Sequence, residues 1–209
     1  MAKLWDISQT LRAGLPVWPG DTAFACDEVW TIGPDCPVRV SRLTLSTHSG
    51  AHADAPSHYD PDGDDMAAAD IALYVGPCRL ITAQGNSAHV RPEDIDWAII
   101  GPAERVLIRT YSHFPHETWD SRFRAIHADT ITALAAAGCR LVGLDSASLD
   151  PETSKTMDAH HAVKRHGMRI LEGLVFDDVP DGAYELIALP LKIAGADAAP
   201  VRAVLRELT

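Results

Sequence analysis

The sequence predicts an α/β fold organised as a single domain over residues 1–209, and three observations point to it. The chain of 209 residues is large enough to bury a real core, and 46% hydrophobic with 22% charged residues is an ordinary globular mixture. Short runs rich in Val, Leu, Ile and Thr recur between turn signals and read as strands. A helix over residues 130–137, closed by Gly138, passes directly into a buried-type strand at residues 140–144. That helix-then-strand step is characteristic of α/β chains.

Residues 4–7 read as a short first strand. The run Leu15-Pro16-Val17-Trp18-Pro19-Gly20-Asp21 is a rigid turn whose prolines and glycine hold Trp18 in place. Trp18 is then either a hydrophobic plug or a flat wall of a pocket for an aromatic ligand. Residues 28–32 and 38–45 are strands separated by Gly33-Pro34-Asp35, and the second runs into a cluster of histidines. Residues 59–65 form a solvated acidic loop that lacks the spacing of a calcium-binding loop.

A further strand begins at residues 76–81. Residues 91–95, with proline and acids in the first turn, open a short helix. Residues 105–110 are a strand and 111–123 a loop, in which His113 and His116 have too little context to assign. Asp129 is placed as the cap of the 130–137 helix. Residues 156–167 form a second helix ending at Gly167, with Lys164, Arg165 and His166 set against its carbonyl end. His160 and His161 cannot share a helix face, so at most one of them points inward. Glu172 lies inside the apolar run of residues 170–174, where a carboxylate is either paired or metal-bound because a lone buried charge is costly. Residues 185–191 and 201–205 read as closing strands.

The densest chemistry lies in His48-Ser49-Gly50-Ala51-His52-Ala53-Asp54-Ala55-Pro56-Ser57-His58. Imidazole and carboxylate bind divalent first-row metals without sulfur. In an extended backbone His48, His52 and Asp54 share one face, whereas a helix would swing Asp54 away. Gly50 and Pro56 disfavour the helix. Small neighbours let the backbone close round an ion and make a poor core. The alternative is an ordinary polar loop.

The net charge of −11 argues against nucleic acid or an anionic membrane as a partner, and a solubilising acidic surface accounts for it. Neither a secretory leader nor a run of some 18–20 apolar residues is visible. Cys26, Cys36, Cys78 and Cys139 are scattered and read as free thiols of a reducing compartment, so a cytoplasmic location is expected. The G-x-S-x-G, G-x-x-x-x-G-K-[ST] and G-x-G-x-x-G patterns of serine, nucleotide and dinucleotide chemistry are missing.

Together these segments resemble the metal-dependent cyclase family of amide hydrolases. Residues 48–58 match the family pattern H-x-G-T-H-x-D-x-P-x-H except at Ala51, where threonine is usual. Similarity continues through residues 4–8, 16–21, 154–160, 171–173 and 185–192, and it is to the branch of the family that cleaves aryl formamides. The resemblance implies a small α/β domain with a mixed β-barrel-like central sheet and flanking helices, usually a homodimer. It implies that His48, His52 and Asp54 hold one Zn2+ and that Asp54, His160 and Glu172 serve a second. It makes His58 the acid/base and Trp18 a substrate-binding residue. Manganese or iron suits the same ligands. The reaction implied is hydrolysis of N-formyl-L-kynurenine to formate and L-kynurenine, a step of tryptophan breakdown. Two rivals are an amidase of the same family acting on a cyclic imide or isatin-like ring, and a non-catalytic metal sensor. The second leaves His58 and Trp18 without a task.

Overall fold

A computed structural model describes residues 2–208. In chain order the elements are β1 (Leu4–Asp6), β2 (Ala25–Trp30), β3 (Val40–Thr44), β4 (His52–Asp54), β5 (Val75–Thr82) and β6 (His89–Val90). There follow α1 (Trp97–Ile100), β7 (Arg105–Arg109), β8 (Ala125–Ile126), α2 (Ala128–Ala136), β9 (Leu141–Leu144) and α3 (Asp158–His166). The chain closes with β10 (Arg169–Glu172), β11 (Gly182–Ile187), β12 (Ala198–Pro200) and β13 (Val204–Glu207).

Nine strands form one mixed sheet in the order β1-β13-β11-β5-β7-β9-β10-β4-β12. Its middle, β5-β7-β9-β10, is parallel, and both flanks are antiparallel. The α/β prediction holds, and the barrel-like sheet takes the form of a curled half-barrel with β1 and β12 as its two free edges. Alternation along the strands builds two cores, one on each face. Leu80, Leu107, Leu141 and Leu171 enter one, with Ala53 of β4, Tyr74 and Phe176. Ile81, Val106, Ile108, Val142, Leu144 and Ile170 enter the other, which is covered by Ile131 and Leu134 of α2 and Ala162 and Val163 of α3. The helices therefore lie on one face, and whatever β4 and β10 present there meets α3.

Several elements differ from the sequence expectation. β2 and β3 form a separate two-stranded sheet in which every residue but Ala25 is exposed, so they do not lead into the central sheet. Helix α2 begins earlier than expected. His127 is its cap, with Nδ1 accepting from the Asp129 N–H at 3.2 Å, and Asp129 sits in the first turn. The helix expected from residue 91 is a 3-10 turn at Pro92–Asp94, after which α1 runs for four residues. The closing segments resolve into β11, β12 and β13, because the stretch holding Leu189, Leu191 and Ile193 leaves the sheet and is exposed. Among the described residues no helix is long and apolar enough to cross a membrane.

Candidate metal centre

Strand β4 explains half of the centre by alternation alone. Ala53 enters the first core, so His52 and Asp54 project from the opposite face, toward α3. In the antiparallel pairing with β10, His52 lies opposite Glu172 and Asp54 opposite Ile170. Helix α3 turns His160 inward, fully buried, and leaves its neighbour His161 exposed. Glu172 is buried as well.

His48 reaches the centre by another route than the alternation expected. Residues 47–51 form a turn, in which the Ser49 N–H bonds to the Ser46 carbonyl and Gly50 has φ +64°. That conformation favours glycine. Gly173, at φ +64°, nests against this turn so closely that a Cβ there would stand 2.5 Å from the Gly50 oxygen. His58 ends a 3-10 turn begun by Pro56.

These residues bring their polar atoms together. Oδ1 of Asp54 lies 3.4 Å from His48 Nδ1 and 3.5 Å from His52 Nε2. Its Oδ2 lies 3.5 Å from His160 Nε2. Glu172 spans the same two groups, with Oε2 at 3.4 Å from His52 Nε2 and Oε1 at 3.7 Å from His160 Nε2. Two imidazoles have their far nitrogens engaged. His52 Nδ1 donates to the Gly50 carbonyl at 2.9 Å, and His160 Nδ1 donates to Asp150 at 2.6 Å. The Asp150 carboxylate is itself gripped by the N–H groups of Ala159 and His160, each at 3.0 Å. Both rings therefore turn Nε2 toward the carboxylates, the arrangement found in metal-ligating histidines.

The centre is short of positive charge. Both Asp54 oxygens, His52 Nε2 and His160 Nε2 are buried without a hydrogen-bond partner. Unpaired buried groups are costly, so four in one place need an explanation. Ligands about 2.1 Å from one ion at the tetrahedral angle stand about 3.4 Å apart, close to the spacings here. The donor set of imidazole and carboxylate fits a divalent metal. Electrostatics agrees. Burial favours neutral forms, yet Asp54 is held well below the usual carboxylate range by His160 and His48. Against the same burial, Asp150 and Asp54 push His160 up to about 10, and Asp54 and Asp197 push His48 up to about 9. Without an ion, protons supply the missing charge.

A cavity of about 340 Å³ opens beside the centre, lined by His48, His52, His58 and Glu172 on one part and by Trp18 and Trp119 on another. Trp18 both packs among aromatic rings and lines the cavity. It packs edge-on against Trp119 at 5.5 Å and tilted against Phe123 at 6.2 Å, and it also faces the cavity. Trp119 is held by an indole N–H donated to Glu152 at 2.6 Å.

All seven residues singled out from the sequence therefore meet at this cavity or directly behind it. Two others were missed. Asp150 orients His160, and Asp197 lies 3.1 Å from His48 Nε2 and 3.4 Å from His58 Nδ1. Asp197 sits in Gly195-Ala196-Asp197-Ala198-Ala199, a carboxylate among small residues like those padding 48–58, and that was the available signal. His113 and His116, left unassigned, both pair with Asp177 away from the centre.

Comparison with known proteins gives the same family as the residues. The Cyclase family model matches residues 5–151. A protein named kynurenine formamidase from Maricaulis maris is 78% identical over 208 residues, spanning all of both chains. Another of that name from Sphingopyxis alaskensis is 57% identical over the same span. Among solved structures, "The Structure Of Potential Metal-Dependent Hydrolase With Cyclase Activity" superposes with a TM-score of 0.85 at 28% identity, covering both chains completely. The chain belongs to the Cyclase family.

Proposed function

We propose that this chain is a metal-dependent amidohydrolase, acting as one hydrolase domain over residues 1–209, that cleaves N-formyl-L-kynurenine to formate and L-kynurenine. One observation carries this. A histidine–carboxylate centre with orphaned, buried ligand atoms lines an aromatic-walled cavity, in a chain 78% identical to a kynurenine formamidase. His48, His52 and Asp54 would hold one ion, and Asp54, His160 and Glu172 a second. Support for two comes from Asp54, whose oxygens face different histidines. We assign Zn2+, and Mn2+ suits the same donors.

Bound there, a divalent ion would polarise the formyl oxygen and make water a better nucleophile near neutral pH. His58 takes a proton from the attacking water and returns it to the departing nitrogen. A carbon–oxygen bond forms, the carbon–nitrogen bond breaks, the aryl amine keeps the proton from His58, and the formyl carbon leaves as formic acid, which gives up its remaining proton to solvent as formate. Trp18 supplies a flat apolar surface for the aryl ring.

We further propose a homodimer. The β2–β3 sheet exposes Val29, Trp30 and Leu43 by 54%, 56% and 57%, an apolar surface of the kind that pairs with another chain. Four free cysteines support a reducing, cytoplasmic compartment. The test of the activity is formate release from N-formylkynurenine by protein of known metal content. Faster turnover of a hydantoin or of isatin would replace this substrate with a cyclic one.

A further inference from the structure

We propose that Asp197 is a positioning residue for His58, forming with it a carboxylate–imidazole pair that sets which ring nitrogen carries the proton. This rests on His58 acting as the acid/base. Strand β12 lies beside β4 at the sheet edge, with Ala198 opposite Asp54, and the Asp197 carbonyl accepts the Ala55 N–H at 2.8 Å. The backbone of Asp197 is thereby fixed where the chain leaves β4 on its way to His58. Its side chain is equally constrained. Oδ1 accepts the Thr47 hydroxyl at 2.9 Å. Oδ2 faces His58 Nδ1 at 3.4 Å and His48 Nε2 at 3.1 Å, and the two rings stand 4.4 Å apart between centroids.

A carboxylate at Nδ1 keeps the proton on that nitrogen and leaves Nε2 bare. Nε2 is then the atom that accepts a proton from water and later gives it to the leaving nitrogen. Asp197 holds the ring in this orientation through both transfers. The same oxygen holds the His48 ring so that Nδ1 faces Asp54. Asp197 is half-exposed, so water screens its charge and its contribution is mainly orientation.

The experiment compares Asp197→Ala, Asp197→Asn, Asp197→Glu, His58→Ala and the His58→Ala/Asp197→Ala double variant as full-length, metal-loaded protein. Carboxylates that orient a metal-ligating imidazole are worth about 10–100-fold, and a similar effect is expected for one that orients His58. We expect Asp197→Ala and Asp197→Asn to lose about that much kcat with KM little changed and metal content retained. Asp197→Glu should recover part of the loss, and the double variant should be no worse than His58→Ala. In 1H–15N spectra of the histidine rings, taken with and without zinc, His58 should shift toward the Nε2-protonated tautomer in Asp197→Asn. Loss of a metal equivalent would place the role of Asp197 at the metal, as a ligand or through His48, and overturn the proposal. So would an unchanged tautomer, or losses that multiply in the double variant. If His58→Ala keeps full kcat, the acid/base role itself fails, a result distinct from a silent Asp197 beside a damaging His58→Ala.

Discussion

Neither carboxylate oxygen of Asp54 has a hydrogen-bond partner and imidazoles ring them, so in the ion-free protein the charge is balanced by protons on His48 and His160. A metal must displace those protons to bind. His48 and His160 are raised to about 9 and about 10 against an ordinary 6.5, so both carry protons at pH 7–8 in the ion-free protein. Titrating divalent metal into metal-free, weakly buffered protein at pH 7.5 should therefore release protons, and apparent affinity should rise as pH climbs toward 9–10. A titration without acidification would contradict this. The sign for stability runs the other way. The raised imidazoles stabilise the ion-free fold fully below about pH 6.5, and that contribution fades as pH rises through 9–10. Trp18 gives a separate expectation: if its ring supplies uniform binding, Trp18→Ala should raise KM more than it lowers kcat. A kcat loss with KM unchanged would instead put Trp18 in the transition state. At this scale the sequence exposed residues that carry a local pattern, namely the 48–58 run, Glu172 in an apolar stretch, and the His160-His161 pair. Asp150 carries none and Asp197 only its padding of small residues, because their partners are chosen only when β12 docks on β4 and α3 docks over β10.

Two elements show why period and register matter more than propensity. Alternation along β4 correctly joins His52 to Asp54, while His48 depends on the Gly50 turn, which a period-2 reading cannot contain. The expected face was right for two residues and the route wrong for the third. The β2–β3 hairpin was legible as two strands around Gly33-Pro34-Asp35, but nothing local tells a strand which sheet it will join. Its exposed apolar side chains lead to a prediction at this scale. Replacing Val29 and Trp30 together by Asp should convert a dimer to a monomer by light scattering, with the circular dichroism of the central sheet preserved. A monomeric wild-type protein would remove the homodimer proposal.

At the scale of the molecule, the α/β class followed from the helix-then-strand step, and the parallel run β7-β9-β10 with α2 and α3 between its strands is its physical content. That step was legible because Gly138 and Gly167 punctuate both helices, each with a positive φ. Whether the sheet closes was not legible, since closure depends on stagger between strands far apart in the chain. The half-barrel matters to function because it leaves β4 near an edge, with β12 as its outer neighbour. Helices on one face then let α3 bring His160 down onto Asp54 and Glu172. Metal-dependent hydrolysis of an aryl formamide ties formate release to bound metal. Formate release from N-formylkynurenine is followed on a single preparation as isolated, after chelation, and after zinc or manganese is restored, with elemental analysis at each stage. We expect close to two equivalents of divalent metal per chain, loss of formate release on chelation, and its return with the metal. Undiminished formate release from metal-free protein would contradict it.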